Sequence, residues 1–148
     1  MALQNSFDTS ADKWSLGCVL FDLATCTPLF QVKSYYDLIA SFHHMVGPIP
    51  RDLLQNFERR DQLFEFPQED PSTVVLRKEV QLKISLKEHM KSCFTKTLTN
   101  PNGVQSSGLK SPEFKVFINF LNGLLQLNPA DRLSYEEMLN NDFISNYT

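Results

Sequence analysis

Hydrophobic residues crowd every face of the stretch that follows Trp14. In Leu16-Gly17-Cys18-Val19-Leu20-Phe21-Asp22-Leu23-Ala24, Asp22 is the one clear interruption. A helix that is apolar all round belongs in a core. The pattern therefore predicts a buried central helix over about Ala11–Thr25, with the remaining elements packed around it. Thr9 and Asp12 have the spacing of a capping box at its start, and Phe7 that of a hydrophobic staple. Thr27-Pro28 ends it, because proline disfavours helix in the residue before it.

Further helices follow. Ser34 caps a second one over Tyr35–Val46, with Leu38, Ile39, Phe42, Met45 and Val46 at helical spacing. Gly47 reads as a left-handed stop, and Pro48 and Pro50 forbid continuation. Residues 51–66 read as one or two short helices, 67–72 as a loop and 73–76 as a short extended segment. Ser85-x-x-Glu88 opens a helix to about Phe94, and residues 95–110 are turn-rich. Ser111-Pro112-Glu113 starts a helix to about Leu127, buried through Phe114, Phe117, Ile118, Leu121, Leu124 and Leu125. Ser134-x-x-Glu137 caps a last helix, Tyr135–Asn140, and Phe143-Ile144 pins the tail. Helix after helix with no alternating strand pattern predicts a mainly α fold.

Composition narrows the function classes. At 148 residues, 42% hydrophobic and 21% charged, the chain is sized and composed as one globular domain. A net charge of −3 offers no electrostatic drive toward nucleic acid or an anionic membrane. Cys18 and Cys26 lie roughly 12 Å apart if helical, too far to bridge. Unpaired thiols and the lack of a signal peptide lead us to expect a cytoplasmic or nuclear protein. His43 and His44 point about 100° apart on a helix and have no third ligand at metal spacing, so they read as surface histidines.

Three stretches together resemble the second half of a protein kinase catalytic domain. Asp12-x-Trp14-Ser15-Leu16-Gly17-Cys18 resembles its central buried helix, helix F. Leu38-Ile39 through Gly47-Pro48-Ile49-Pro50 resembles helix G and the turn after it. Leu124-Leu125-x-Leu127-Asn128-Pro129-Ala130-Asp131-Arg132-Leu133-Ser134-Tyr135-Glu136-Glu137-Met138-Leu139 resembles the joint between helices H and I. The long stretch between G and H, residues 51–111, resembles the insert of the CMGC group, with the look of its SR-protein, CDC-like and dual-specificity-regulated branches. The resemblance implies a partial kinase domain over 1–148, a helical C-lobe with an irregular insert.

It also implies roles. Asp12 would accept backbone N–H bonds from the catalytic loop; the plainer alternative is that it caps its own helix. Val19 and Leu23 would support the hydrophobic column beneath the adenine, the alternative being plain core. Trp14 would be a packing anchor and Gly17 a close-approach point. Arg132 would pair with the glutamate that ends the activation segment; otherwise it is an exposed capping arginine. Tyr36, Leu38, Phe42 and His43 would lie on the docking surface for protein substrates or regulators.

Phosphoryl transfer needs a glycine-rich loop, a strand lysine, a catalytic-loop aspartate and asparagine, and a metal-binding aspartate. The sequence has no Gly-x-Gly-x-x-Gly, His-Arg-Asp, Asp-Phe-Gly or Ala-Pro-Glu, and family spacing puts that last glutamate just before Met1. The chain is thus expected to bind no cofactor itself, ATP and Mg belonging to a complete parent, and to meet an N-lobe in trans. A central helix lacking its usual covering should also leave apolar surface open and stability marginal. The alternatives are a non-catalytic protein-docking module and an unrelated helical adaptor.

Overall fold

A computed structural model describes residues 9–70, 74–77, 84–98 and 112–145. Helix α1 (Ser10–Thr25) lies against α4 (Leu86–Leu98) and α5 (Pro112–Leu124). Their shared core holds Phe21, Met90, Ile118, Leu121 and Leu125. Burying each such side chain stabilises by roughly 1.5–3 kcal/mol. Helix α2 (Tyr35–Ser41) and the segment after it build a second cluster around Ile39, Phe42, Ile49, Leu54 and Phe64. Trp14 packs against both clusters, stacked on Phe30 at 6.1 Å and edge-on to Phe42 at 5.3 Å.

Local chemistry sets most helix ends. Ser34 accepts the Asp37 N–H at 3.1 Å, and full capping boxes form at Ser85/Glu88 and Ser134/Glu137. The box expected at Thr9 and Asp12 does not form. Thr9 has helical backbone angles and makes no side-chain cap bond. At the other end of α1, Cys26 takes the left-handed conformation (φ 53°). Asp22, the polar interruption, accepts the Leu29 N–H at 2.7 Å and so anchors the loop that leaves the helix. The Phe7 staple lies outside the described residues.

Several boundaries differ from expectation. The second helix turns to a π-helix over Phe42–Val46, closed by the Gly47 N–H to Phe42 carbonyl bond at 3.2 Å. Gly47 (φ 150°, ψ 172°) is extended in the glycine-only region, not in a left-handed helical stop. The insert forms a 3-10 turn at Arg51–Leu54 and a short α3 (Arg60–Leu63). Strand β1 (Phe64–Glu65) then pairs antiparallel with β2 (Val75–Leu76), in the register Phe64 to Leu76. Phe64 was expected on a helix. It is fully buried on a strand instead, because its partner lies twelve residues on and local pattern cannot show such a pairing. Helix α4 continues past Phe94 to Leu98, while residues 99–110 of the turn-rich stretch lie outside the described ones.

Helix α5 stops at Leu124, short of Leu127, and buries Phe120 as well as the expected stripe, from which Phe117 is only half-buried. A 3-10 turn (Pro129–Asp131) follows, with Asn128 accepting the Ala130 N–H. Helices α6 (Tyr135–Leu139) and α7 (Asp142–Ser145) are the last described elements, with Phe143 against Phe117 and Phe120 at 5.1 Å each.

Candidate functional site: a scaffold helix with one open face

Asp12, Leu16, Val19 and Leu23 recur at the spacing of a single helix face. On α1 that face is open. Leu16 is 38%, Val19 51% and Leu23 73% exposed, and Asp12 is exposed at the helix start. Ala11, Gly17 and Phe21 are buried. The apolar pattern alone predicted a helix wrapped on all sides, and the resemblance one lacking part of its covering; α1 is covered on one side only. Val19 and Leu23 are not core residues here, because α4, α5 and the Pro129–Asp131 turn occupy the far side. A row of exposed aliphatic side chains is the unfavourable part of this arrangement and marks a surface suited to association.

The start of α1 is held in place by the segment after α5. Arg132 is 7% exposed, so it is not the exposed capping arginine weighed from sequence. It donates from Nη1 to the Ser10 carbonyl at 2.8 Å and from Nε to the Gln126 carbonyl at 2.8 Å, while its guanidinium lies 5.2 Å from the Trp14 ring centre. Lys13 donates to the Leu133 carbonyl at 2.9 Å, and the Tyr135 hydroxyl to the Thr9 carbonyl at 3.3 Å. Gly17 permits the approach of α5: a Cβ there would lie 2.9 Å from Leu125 Cδ2. The result is a rigidly seated helix N-terminus that presents a carboxylate. A carboxylate in a first helical turn is favoured by the helix dipole.

The surface assigned to docking is less open than expected. Phe42 is 7% exposed and packs edge-on against Trp14 and Phe30, which removes it from any docking face. Tyr36 and Leu38 are half-buried against the second cluster. His43 is half-buried too, with Nδ1 accepting the Ile49 N–H at 3.3 Å. Burial pushes its pKa down, helped by the neighbouring His44. Two features were not anticipated. Tyr35 is exposed, with the Arg59 guanidinium 5.7 Å from its ring centre. The other is a cleft lined by Arg51, Asp52, Gln55, Arg60 and Phe66. The aromatic and arginine residues interleaved between positions 57 and 66 were the available signal.

Among the described residues no group of His, Cys, Asp or Glu could hold a metal ion. The His43 and His44 rings stand 5.4 Å apart and nearly perpendicular. Burial, then the Asp22 charge, pushes the Cys18 thiol up to about 11, away from nucleophile chemistry. No helix among the described residues is long and apolar enough to cross a membrane.

A helical assembly seated on one apolar central helix, with a two-stranded insert, defines the class: the helical lobe of a kinase-type fold. The family pattern of the protein kinase domain matches residues 2–144, and the chain belongs to that family. It is 27% identical over 138 residues to dual specificity tyrosine-phosphorylation-regulated kinase 2 of Drosophila melanogaster, covering 93% of this chain and 17% of that protein. Probable serine/threonine-protein kinase dyrk2 of Dictyostelium discoideum is 28% identical, covering 96% of this chain and 14% of that protein. Serine/threonine-protein kinase AFC2 of Arabidopsis thaliana is 26% identical, covering 90% and 29%. These relatives are CMGC kinases, and the chain spans less than a third of each.

Proposed function

We propose that the chain is the C-lobe portion of a CMGC serine/threonine kinase. Its complete form would transfer the γ-phosphoryl group of ATP, with Mg, to protein hydroxyls. The observation that carries this reading is the open face of α1, which begins at Asp12 and continues through Leu16, Val19 and Leu23. On this reading the covering segment is the catalytic loop and the helix before it. Asp12 accepts that loop's backbone N–H groups, and Val19 and Leu23 carry the column beneath the adenine. A buried carboxylate is tolerated only when so bonded, which accounts for an aspartate at the head of an aliphatic stripe.

The sequence holds none of the motifs that cradle phosphates, bind the metal or supply the base. Alone, then, the chain supplies a scaffold and a docking surface on α2 and the insert, and is inactive. It acts in the cytoplasm or nucleus, on protein partners, and engages neither nucleic acid nor membrane.

The test is complementation. The part of the fly relative that precedes the region matched by this chain would be mixed with this chain and assayed for phosphorylation of a generic protein substrate. Activity that appears on mixing and is lost with Asp12→Asn or Leu23→Asp supports the reading. Failure of the two parts to associate overturns it. The second reading, a non-catalytic docking module, draws on the exposed Tyr35–Arg59 pair, and association without activity would favour it.

A further inference from the structure

Three short elements of the insert converge on one aromatic ring. Arg51 begins the 3-10 turn, Arg60 begins α3, and Phe66 follows β1. The guanidinium of Arg51 lies 5.0 Å from the Phe66 ring centre and that of Arg60 lies 5.5 Å from it. Phe66 is half-buried against the second core cluster, so the platform is anchored. Together with Asp52 and Gln55 these residues line a cleft of ≈ 390 Å³. We propose that this cleft binds a phosphomonoester carried on a peptide side chain.

The donor geometry selects that ligand class. Two guanidiniums stand at one ring, where stacking restricts their freedom. Arg60 gives its Nε to Asp61 at 3.0 Å, which uses only part of a five-donor fork. Asp52, held by the Gln55 amide at 3.2 Å, opposes any anion that enters. Asp61, paired with Arg60, adds a second carboxylate beside the two guanidiniums, so charge alone does not discriminate. A phosphomonoester has three acceptor oxygens against a carboxylate's two and can accept from both guanidiniums at once. The volume exceeds a phosphate group and leaves room for flanking peptide. Gln55 and Asp52 supply polar partners for its backbone. A net charge of −3 disfavours an anionic lipid surface as the source. The inference stands on the cleft alone and is independent of the kinase reading.

The experiment uses the full chain and fluorescence polarisation. One probe is a degenerate peptide library centred on phosphoserine, a second is its unphosphorylated twin, and a third arm uses vesicles containing a phosphoinositide. The phosphorylated library should bind at least about tenfold more tightly than its twin. The Arg51→Gln/Arg60→Gln double variant should lose that preference with its circular dichroism unchanged. Asp52→Asn should tighten binding, a gain that misfolding cannot mimic. Equal binding of the two libraries overturns the proposal. So does a double variant that retains the preference, weaker binding by Asp52→Asn, or binding to vesicles but not to peptide.

Discussion

The Arg132 guanidinium lies 5.2 Å from the centre of the Trp14 ring while donating to the Ser10 carbonyl at 2.8 Å. One side chain thus ties the segment after α5 to both the backbone and the anchor ring of α1. The carbonyls it serves are held by geometry that only a planar fork can match.

Replacing Arg132 with Ala should therefore lower stability by about 2–4 kcal/mol, since the buried Ser10 carbonyl and the part-buried Gln126 carbonyl lose their donor. Arg132→Lys keeps the charge but not the fork and should recover only part of the loss. Urea denaturation of the three proteins measures both effects.

Gly17→Ala tests the helix contact. The added Cβ would sit 2.9 Å from Leu125 Cδ2 and Cγ, and Leu125 is itself fully buried. Overpacking of this kind costs about 1–3 kcal/mol. A melting midpoint equal to that of the parent protein would contradict the contact.

Val19→Ser and Leu23→Ser should behave in the opposite way. Both side chains face solvent, so stability should change by no more than about 0.5 kcal/mol. Binding of an apolar-surface dye and concentration-dependent association should both fall. A loss of stability comparable to a core substitution would show that the face is covered.

Thiol reactivity should separate the cysteines. Cys26 is exposed, Cys93 is buried, and the Cys18 thiol is held up at about 11. Alkylation at about pH 8 should show one fast site, abolished by Cys26→Ser.

The pH response should carry the signature of His43. Its Nδ1 accepts a proton-bearing amide, so the folded ring is neutral, and burial holds its pKa below 6.5. Below about pH 6.5 the unfolded chain then binds more protons than the folded one. The ring's contribution is complete above that pH and declines as pH falls through the lowered folded value. His43→Gln retains an acceptor without titrating and should flatten the melting midpoint between about pH 7 and 5.

Ser34, Ser85 and Ser134 show where residue order was sufficient. Each cap bonds a group three residues away, so the signal and the partner lie in the same few residues. Thr9 carried the same signal and failed, because the helix start is held by Arg132, Lys13 and Tyr135 from the far end of the chain. Phe42 shows the same limit. The family resemblance placed it on a candidate docking surface, yet the edge-on contacts with Trp14 and Phe30 bury it.

Local composition was enough to establish the helices, their serine caps, the mainly α class and the family resemblance, since each rests on neighbours within a turn or on motif order. Which side of α1 meets solvent was beyond its reach. Leu16, Phe21 and Leu23 are equally apolar as letters, and only the placement of α4 and α5, distant along the chain, buries Phe21 and leaves the two leucines exposed.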